Sequence, residues 1–228
     1  MSRAAGWLKE LLFPRRCMLC RKFLKADETD LCRGCRTNAP EYPFGAENPD
    51  PSGKNSGQFL DSFTAVWYYE EDVRRSILRY KFRRATFLGP KFGTLLAMKL
   101  LRVGPGDIDL LTWVPVSPLR RFRRGYDQCQ LLCKAMGEQM GIPAERALRK
   151  IRHTPPQSGL HSVSERKANV LGAYKAVKQM DLRGKRVVLV DDIYTTGSTM
   201  NECARVLLTA GAKEVHGAAI AAVRYQKK

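Results

Sequence analysis

The sequence predicts an α/β protein, a doubly wound parallel sheet with a small metal-binding module ahead of it. Three observations carry that expectation: an unbroken apolar run ending in two acids, strand patterns that alternate with helical ones, and four cysteines in two matched pairs. The run is Val187 to Met200, VVLVDDIYTTGSTM. Val187, Val188, Leu189 and Val190 lack period-2 alternation and are mostly β-branched, which reads as a parallel strand covered on both faces. Asp191 and Asp192 follow, then a hydroxyl-rich turn, Thr195-Thr196-Gly197-Ser198-Thr199, then Met200, Cys203, Val206 and Leu207 at helical spacing. A helix N-terminus offers unpaired amides and the positive end of its dipole, and glycine permits close backbone approach, so this turn is a seat for phosphate. Paired carboxylates suit the other end of such a ligand, because they accept hydrogen bonds from vicinal hydroxyls and hold divalent metal through oxygen. A diol and a phosphate on one molecule describe a sugar phosphate. Many βα turns use Gly and Ser/Thr for capping and bending alone, but a doubled acid after four apolar residues is not needed for that. No Gly-Lys-Ser/Thr stands near the turn, which excludes a Walker A loop.

The cysteine pairs are Cys17-Met18-Leu19-Cys20 and Cys32-Arg33-Gly34-Cys35, a C-x2-C-x11-C-x2-C array. Two such knuckles present four thiolates to one tetrahedral Zn²⁺, and the interval between them is long enough for a two-stranded ribbon. Four protein ligands close the metal shell, so the zinc is expected to be structural and to fold a segment too small for its own core. Arg15, Arg16, Arg21, Lys22, Lys25, Arg33 and Arg36 crowd the module. They either meet polyanions or flank the negative zinc-thiolate centre. An odd total of seven cysteines argues for a reducing compartment and metal rather than disulfides.

Before the cysteines, Trp7, Leu8, Leu11, Leu12 and Phe13, broken by Lys9 and Glu10, predict a short amphipathic helix rather than a secretion signal. No stretch reaches the roughly 18 apolar residues that cross a bilayer, so the expected location is the cytoplasm. Residues 39–58 are rich in Pro, Gly, Asn and Ser and read as a linker. The predicted organisation is therefore a zinc-ribbon module over residues 1–50 and an α/β domain over 59–228. Forty Lys and Arg against 22 Asp and Glu give a formal charge of +18. A field of that size attracts polyanions, nucleic acid first among them.

Within the larger domain, Phe63 to Tyr69 reads as a strand, Glu70 to Tyr80 as a helix with Val73, Ile77 and Leu78 on one face, and Leu88 to Leu101 as another helix. Arg74, Arg75, Arg79, Lys81, Arg83 and Arg84 form a positive run that reads equally as a solvated helix surface or as an anion-binding one. Asp109 to Pro118 is an apolar strand that ends at Val114-Pro115-Val116-Ser117-Pro118 and feeds a helical stretch from Leu119 to Cys133. Arg120, Arg121, Arg123 and Arg124 stand at its carboxyl end, the edge at which open α/β sheets bind ligands, and guanidinium groups bind phosphate in bidentate fashion. Residues 148–172 are polar and interrupted by Pro155-Pro156, which suggests a lid carrying Arg152, Gln157, Arg166 and Asn169. His153 and His161 are further acid-base candidates there, with no partner carboxylate in sequence. Glu214 to Val223 reads as a last buried strand. The strand-helix-strand order implies right-handed parallel crossovers.

The run VVLVDDIYTTGST resembles the phosphoribosyl pyrophosphate (PRPP) signature of type I phosphoribosyltransferases, a hydrophobic strand followed by D-[DE]-x-x-x-T-G-x-T. Together with the paired-cysteine module, WVPVSPLRRFRRGYDQ and RHTPPQSGLHSVSERKANV, it resembles the competence protein F family (ComF, ComFC and GntX-like proteins) over essentially the whole chain. The resemblance implies a type I phosphoribosyltransferase-like sheet behind a zinc ribbon. It implies that Asp191 and Asp192 hold the ribose hydroxyls and Mg²⁺ of PRPP as the catalytic pair, that Thr195, Thr196, Gly197, Ser198 and Thr199 wrap its 5-phosphate, and that Val116, Ser117, Arg121 and Arg124 meet pyrophosphate. The family has Asn where this chain carries Asp127. Hypoxanthine-guanine enzymes place an acid just before the Thr-Gly of this loop, where this chain has Thr195, so purine salvage is not expected. The function implied is PRPP-linked handling of single-stranded DNA during uptake, alongside a DNA-translocating helicase. The alternatives are a soluble phosphoribosyltransferase acting on another base or nucleotide, and a non-catalytic PRPP sensor.

Overall fold

The computed structural model describes residues 14–43, 59–152, 154 and 163–224. The expected N-terminal amphipathic helix, most of the linker, and His153, Gln157 and His161 lie outside the described residues. The chain enters through the cysteine module, whose second knuckle opens a short helix, α1 (Arg33–Asn38). It continues through β1 (Ser62–Tyr68), α2 (Glu71–Phe82), α3 (Leu88–Val103), β2 (Leu110–Trp113), α4 (Pro118–Arg124) and α5 (Gln128–Met140). Then come β3 (Leu148–Lys150), α6 (Val163–Val170), β4 (Tyr174–Ala176), β5 (Arg186–Tyr194), α7 (Ser198–Thr209) and β6 (Glu214–Ala222).

Four strands form a parallel sheet in the order β1-β6-β5-β2. Val187 to Val190 are fully buried, as a central strand covered on both sides requires. Alternate residues divide between two apolar clusters. Val188 and Val190 join Val66, Leu111, Trp113 and Ile220 beneath α2, α3 and α5, where Ile77, Phe92, Leu132 and Met136 pack. Val187 and Leu189 join Phe63, Leu110 and Val215 on the other side, against Met200, Cys203 and Leu207 of α7 and Leu148 and Tyr174 of the antiparallel β3-β4 pair. Helices on both faces of a parallel sheet make the doubly wound fold that the sequence predicts. Close approach of α3 to α5 depends on Gly93, where a Cβ would lie 2.6 Å from that of Ala135.

The structure redraws three local expectations. The stretch from Leu119 to Cys133 is two helices: Gly125 ends α4 in the left-handed region at φ 80°, and Asp127 starts α5 by accepting hydrogen bonds from the amides of Cys129 and Gln130. β5 runs on through both acids to Tyr194, pairing with β6 as far as Ala222. The polar segment 148–172 contains β3 and α6, because the short strand finds a partner in β4 that lies far along the chain. Among the described residues, no helix is long and apolar enough to cross a membrane.

The cysteine module is fastened to the larger unit by polar and apolar contacts together. Met18 and Leu19 are buried in the cluster beneath α2. Arg79 Nη2 donates to the carbonyls of Met18 and Leu19 at 2.7 and 3.0 Å, and Ser76 Oγ donates to Met18 O at 2.5 Å. Arg79, part of the positive run, thus serves packing. Lys91 pairs with Asp30 at 2.5 Å.

Candidate functional site

β5 and β2 are neighbours, and their carboxyl ends lead to helices on opposite faces, α7 on one and α5 on the other. Divergence of that kind opens a crevice at the strand ends, the position where doubly wound sheets take ligands. A cleft of about 840 Å³ lies there, bordered by Asp191, Asp192, Thr195, Gly197, Thr199, Val116 and a wall of cations.

The turn after β5 is built around Gly197, whose φ of 71° favours glycine. A Cβ there would collide with the Tyr194 ring, with Cζ 2.6 Å away. The tight turn starts α7 at Ser198, and the Thr196 and Ser198 hydroxyls lie 2.9 Å apart, both buried. Thr195, Gly197 and Thr199 border the cleft directly.

The acids are held from the α2–α5 side. Lys81 Nζ stands 2.8 Å from Asp192 Oδ1, Gln128 Nε2 donates to Asp192 Oδ2 at 2.9 Å, and Cys129 Sγ donates to Asp191 Oδ1 at 3.3 Å. Burial, followed by the charge of Asp192, lifts the Asp191 carboxyl to about 7, against the attraction of Lys81. Burial works to lower Lys81, but the neighbouring charges of Asp192 and Asp191 outweigh it and hold this ammonium above its ordinary value. Tyr80 fixes the arrangement by donating to Gln128 O at 2.6 Å, which ties the end of α2 to the start of α5.

The loop after β2 supplies the opposite wall. Val116 faces the cleft, whereas Ser117 is buried and its Oγ accepts from the amide of Arg120 at 3.4 Å, capping α4 with Pro118 at the first helical position. Arg120, Arg123 and Arg124 border the cleft; Arg121 does not, and instead stands near enough to Asp127 for its charge to favour the carboxylate. Asp127 is spent on its helix cap. Arg84 and Lys150 complete the cationic wall. Lys150 lies over the Tyr174 ring, donates to Thr154 Oγ1 at 2.7 Å and is depressed to about 8 by burial and then by Arg120. Of the residues expected to form a lid, Arg166 borders the cleft, and Arg152 donates to the carbonyls of Asn169 and Leu171 at 3.1 and 2.9 Å.

Sequence reasoning missed Gln128, Cys129, Lys150 and Tyr174 as cleft residues, and it left Lys81 inside an undifferentiated run of cations. Nothing in the spacing of α2, α5 and β3 reveals that their ends converge on β5. A signal did exist for Lys81: it is the cation directly after Tyr80, on the helix whose apolar face must meet the sheet.

At the other site, the Cys17, Cys20, Cys32 and Cys35 thiols lie within 4.8 Å of one another. The first knuckle is a tight turn closed by a bridge between Arg16 and Phe23; the second uses Cys32 to cap α1. Glu28, buried, accepts from the amides of Lys25 and Arg33 and holds the knuckles in place. Four sulfurs in that space can hold a metal ion, and the donor set fits Zn²⁺. The oxygen pair Asp191 and Asp192 fits a hard cation such as Mg²⁺, which takes one or two carboxylates and completes its shell from water and phosphate.

The family model described as phosphoribosyl transferase domain matches residues 129–228, which include both acids and the hydroxyl turn. Competence protein F of Haemophilus influenzae is 29% identical over 89% of this chain and 95% of its own length. DNA utilization protein YhgH of Salmonella typhimurium is 28% identical over 90% of this chain and 96% of its own. Competence protein ComFC of Streptococcus pneumoniae is 30% identical over 68% of this chain and 65% of its own. The likeness to competence protein F and to YhgH covers about nine-tenths of this chain, so the chain is a relative of the competence protein F proteins, with a phosphoribosyltransferase-type domain behind a four-cysteine module.

Proposed function

We propose that the cleft at the end of β5 binds PRPP with Mg²⁺ and that the protein couples this ligand to the handling of single-stranded DNA. One observation carries the reading: an acidic pair and a hydroxyl-lined helix N-terminus border a single cleft that also has Arg84, Arg120, Arg123, Arg124 and Lys150 on its walls. Few ligands require all three. Asp191 and Asp192 take the ribose hydroxyls and the metal, Thr195 to Thr199 take the 5-phosphate, and Val116 with Arg120, Arg123 and Arg124 of α4 takes pyrophosphate, while Ser117 caps that helix. Bound Mg²⁺ supplies positive charge to a departing pyrophosphate. The chain's own cations add to it as positive charge builds on the sugar, and holding the leaving group is the main demand of such a transfer. Arg166 and Arg152 belong to the lid over this cleft. Thr195 has no acid to offer a purine base, so a hypoxanthine-guanine activity is not part of the proposal. Zn²⁺ in the four-cysteine cluster is structural.

The DNA part of the proposal is supported by the rim. Phe122 on α4 is 86% exposed and stands among Arg120, Arg121, Arg123 and Arg124. Arg124 lies over the exposed Phe82 ring at 5.1 Å, which joins α4 to the end of α2, next to Arg83 and Arg84. Aromatic faces interleaved with guanidinium groups suit unpaired bases and their phosphates. A helicase that feeds the strand belongs to the proposal by family resemblance.

The test is calorimetric titration of the zinc-loaded protein with PRPP and Mg²⁺, with and without a single-stranded oligonucleotide. Wild type should bind PRPP, and Asp191→Asn with Asp192→Asn should not. Equal affinity in the two proteins would remove the site, and PRPP binding that ignores the oligonucleotide would remove the coupling. A panel of bases, with pyrophosphate release as readout, separates transfer from sensing.

A further inference from the structure

Lys81 belongs to α2, yet its side chain is 17% exposed and its ammonium is spent on Asp192, itself 6% exposed. Taking both charges from water is costly, and such a pair persists where it fixes one arrangement among alternatives. Both oxygens of Asp192 are occupied: Oδ1 by Lys81 Nζ at 2.8 Å and Oδ2 by Gln128 Nε2 at 2.9 Å. In this state a cation that joins Asp192 must displace one of these partners. Gln128 carries a second sign. It is 3% exposed, it borders the cleft, and its Oε1 is buried without a hydrogen-bond partner. A buried acceptor left so is costly and is satisfied when a donor arrives, such as a sugar hydroxyl or a metal-bound water.

We propose that Lys81 is an internal cation that occupies Asp192 until a metal-bound phosphorylated sugar displaces it, so that binding exchanges ammonium for divalent metal. The inference rests on the reading that the cleft takes such a ligand. The released ammonium then faces a polyphosphate, with Arg84, Arg120 and Arg124 on the same walls. Free divalent ions alone bind poorly, because they must evict a matched charge and leave it uncompensated. A metal that arrives with phosphates supplies the ammonium with a new partner. Lys81 is accordingly a positioning residue that couples metal binding to phosphate binding.

The test uses Mn²⁺ alone, with the zinc-loaded full chain, and follows free Mn²⁺ by electron paramagnetic resonance. Lys81→Met should bind Mn²⁺ at least tenfold tighter than wild type, and Lys81→Arg should stay as weak as wild type. Lys81→Gln, which keeps a hydrogen bond to Asp192, gives the same readout should the methionine variant fail to fold. Asp192→Asn placed on either neutral variant should erase the gain. Mn²⁺ affinity that is equal in wild type and the neutral variants overturns the exchange, as does a gain that survives Asp192→Asn. PRPP calorimetry on the same samples separates the two readings: tighter Mn²⁺ without PRPP binding keeps the exchange and removes the sugar ligand, and the converse keeps the ligand and removes the exchange.

Discussion

Lys150 gives the sharpest test of whether the cationic wall meets an anion. Burial, then repulsion from Arg120, depresses its ammonium from 10.5 to about 8, with Arg152 adding to the repulsion and Asp191 and Cys203 opposing it. An anion seated beside Lys150 restores the ordinary value, so binding must take up a proton wherever the free protein has lost one. With free and bound values of 8 and 10.5, uptake is about 0.1 proton per ligand at pH 7 and about 0.75 at pH 8.5. The same values weaken the affinity about tenfold between pH 7 and pH 9. Without ligand, the depressed pKa makes this group's contribution to folding stability rise with pH from about 8 to 10.5, because the unfolded chain there holds a proton that the folded chain lacks. The assay is calorimetry of inorganic pyrophosphate with Mg²⁺ at both pH values, in buffers of different ionisation enthalpy, on wild type and Lys150→Met. Protons released or bound by the ligand itself cancel in the difference between the two proteins. An excess uptake in wild type that grows from pH 7 to 8.5 is expected. Equal uptake in both proteins would refute the placement of Lys150 against the bound anion.

Four further outcomes follow from the geometry. Gly197→Ala forces a side chain into the left-handed region and against the Tyr194 ring; a loss of about 1–3 kcal/mol in urea unfolding is expected from backbone strain alone, and an unchanged midpoint would contradict the turn. Cys17→Ser should release zinc, measured by a chromogenic chelator, and loosen the Met18 and Leu19 contacts with α2, so a zinc-free protein with wild-type melting would argue against a structural metal. Phe122→Ala should weaken single-stranded oligonucleotide binding by about 1–3 kcal/mol through lost stacking. Arg123→Ala should lower the salt slope by about 0.7; fluorescence anisotropy reads both, and a wild-type response in each would move the DNA face elsewhere.

The strand before Asp191, the turn after it and the two cysteine knuckles were legible in sequence because each is local. An apolar run without alternation has one stable placement, buried between two layers of helices. Gly197 is required by a turn completed within five residues, and a C-x2-C knuckle closes on itself. The arginines after β2 were also placed correctly at the carboxyl edge of the sheet, since strand direction alone decides that. Their division was not legible: Arg120, Arg123 and Arg124 reach the cleft while Arg121 does not and instead adds its charge near Asp127, with Gly125 ending α4 and Asp127 restarting the chain as α5.

What the sequence determined by itself is therefore the central strand, its acidic edge and the cysteine pairs that can hold a metal, all written in spacings shorter than a dozen or so residues. What the tertiary structure alone decided is which cations matter and how. Lys81, Arg79 and Arg83 look alike in the chain. Folding sends Lys81 to Asp192, Arg79 to the carbonyls of the cysteine module and leaves Arg83 exposed at the rim. The physical reason is that a charge has no fixed role until burial sets its desolvation and its partner, and both depend on segments that lie 60 to 111 residues away in sequence.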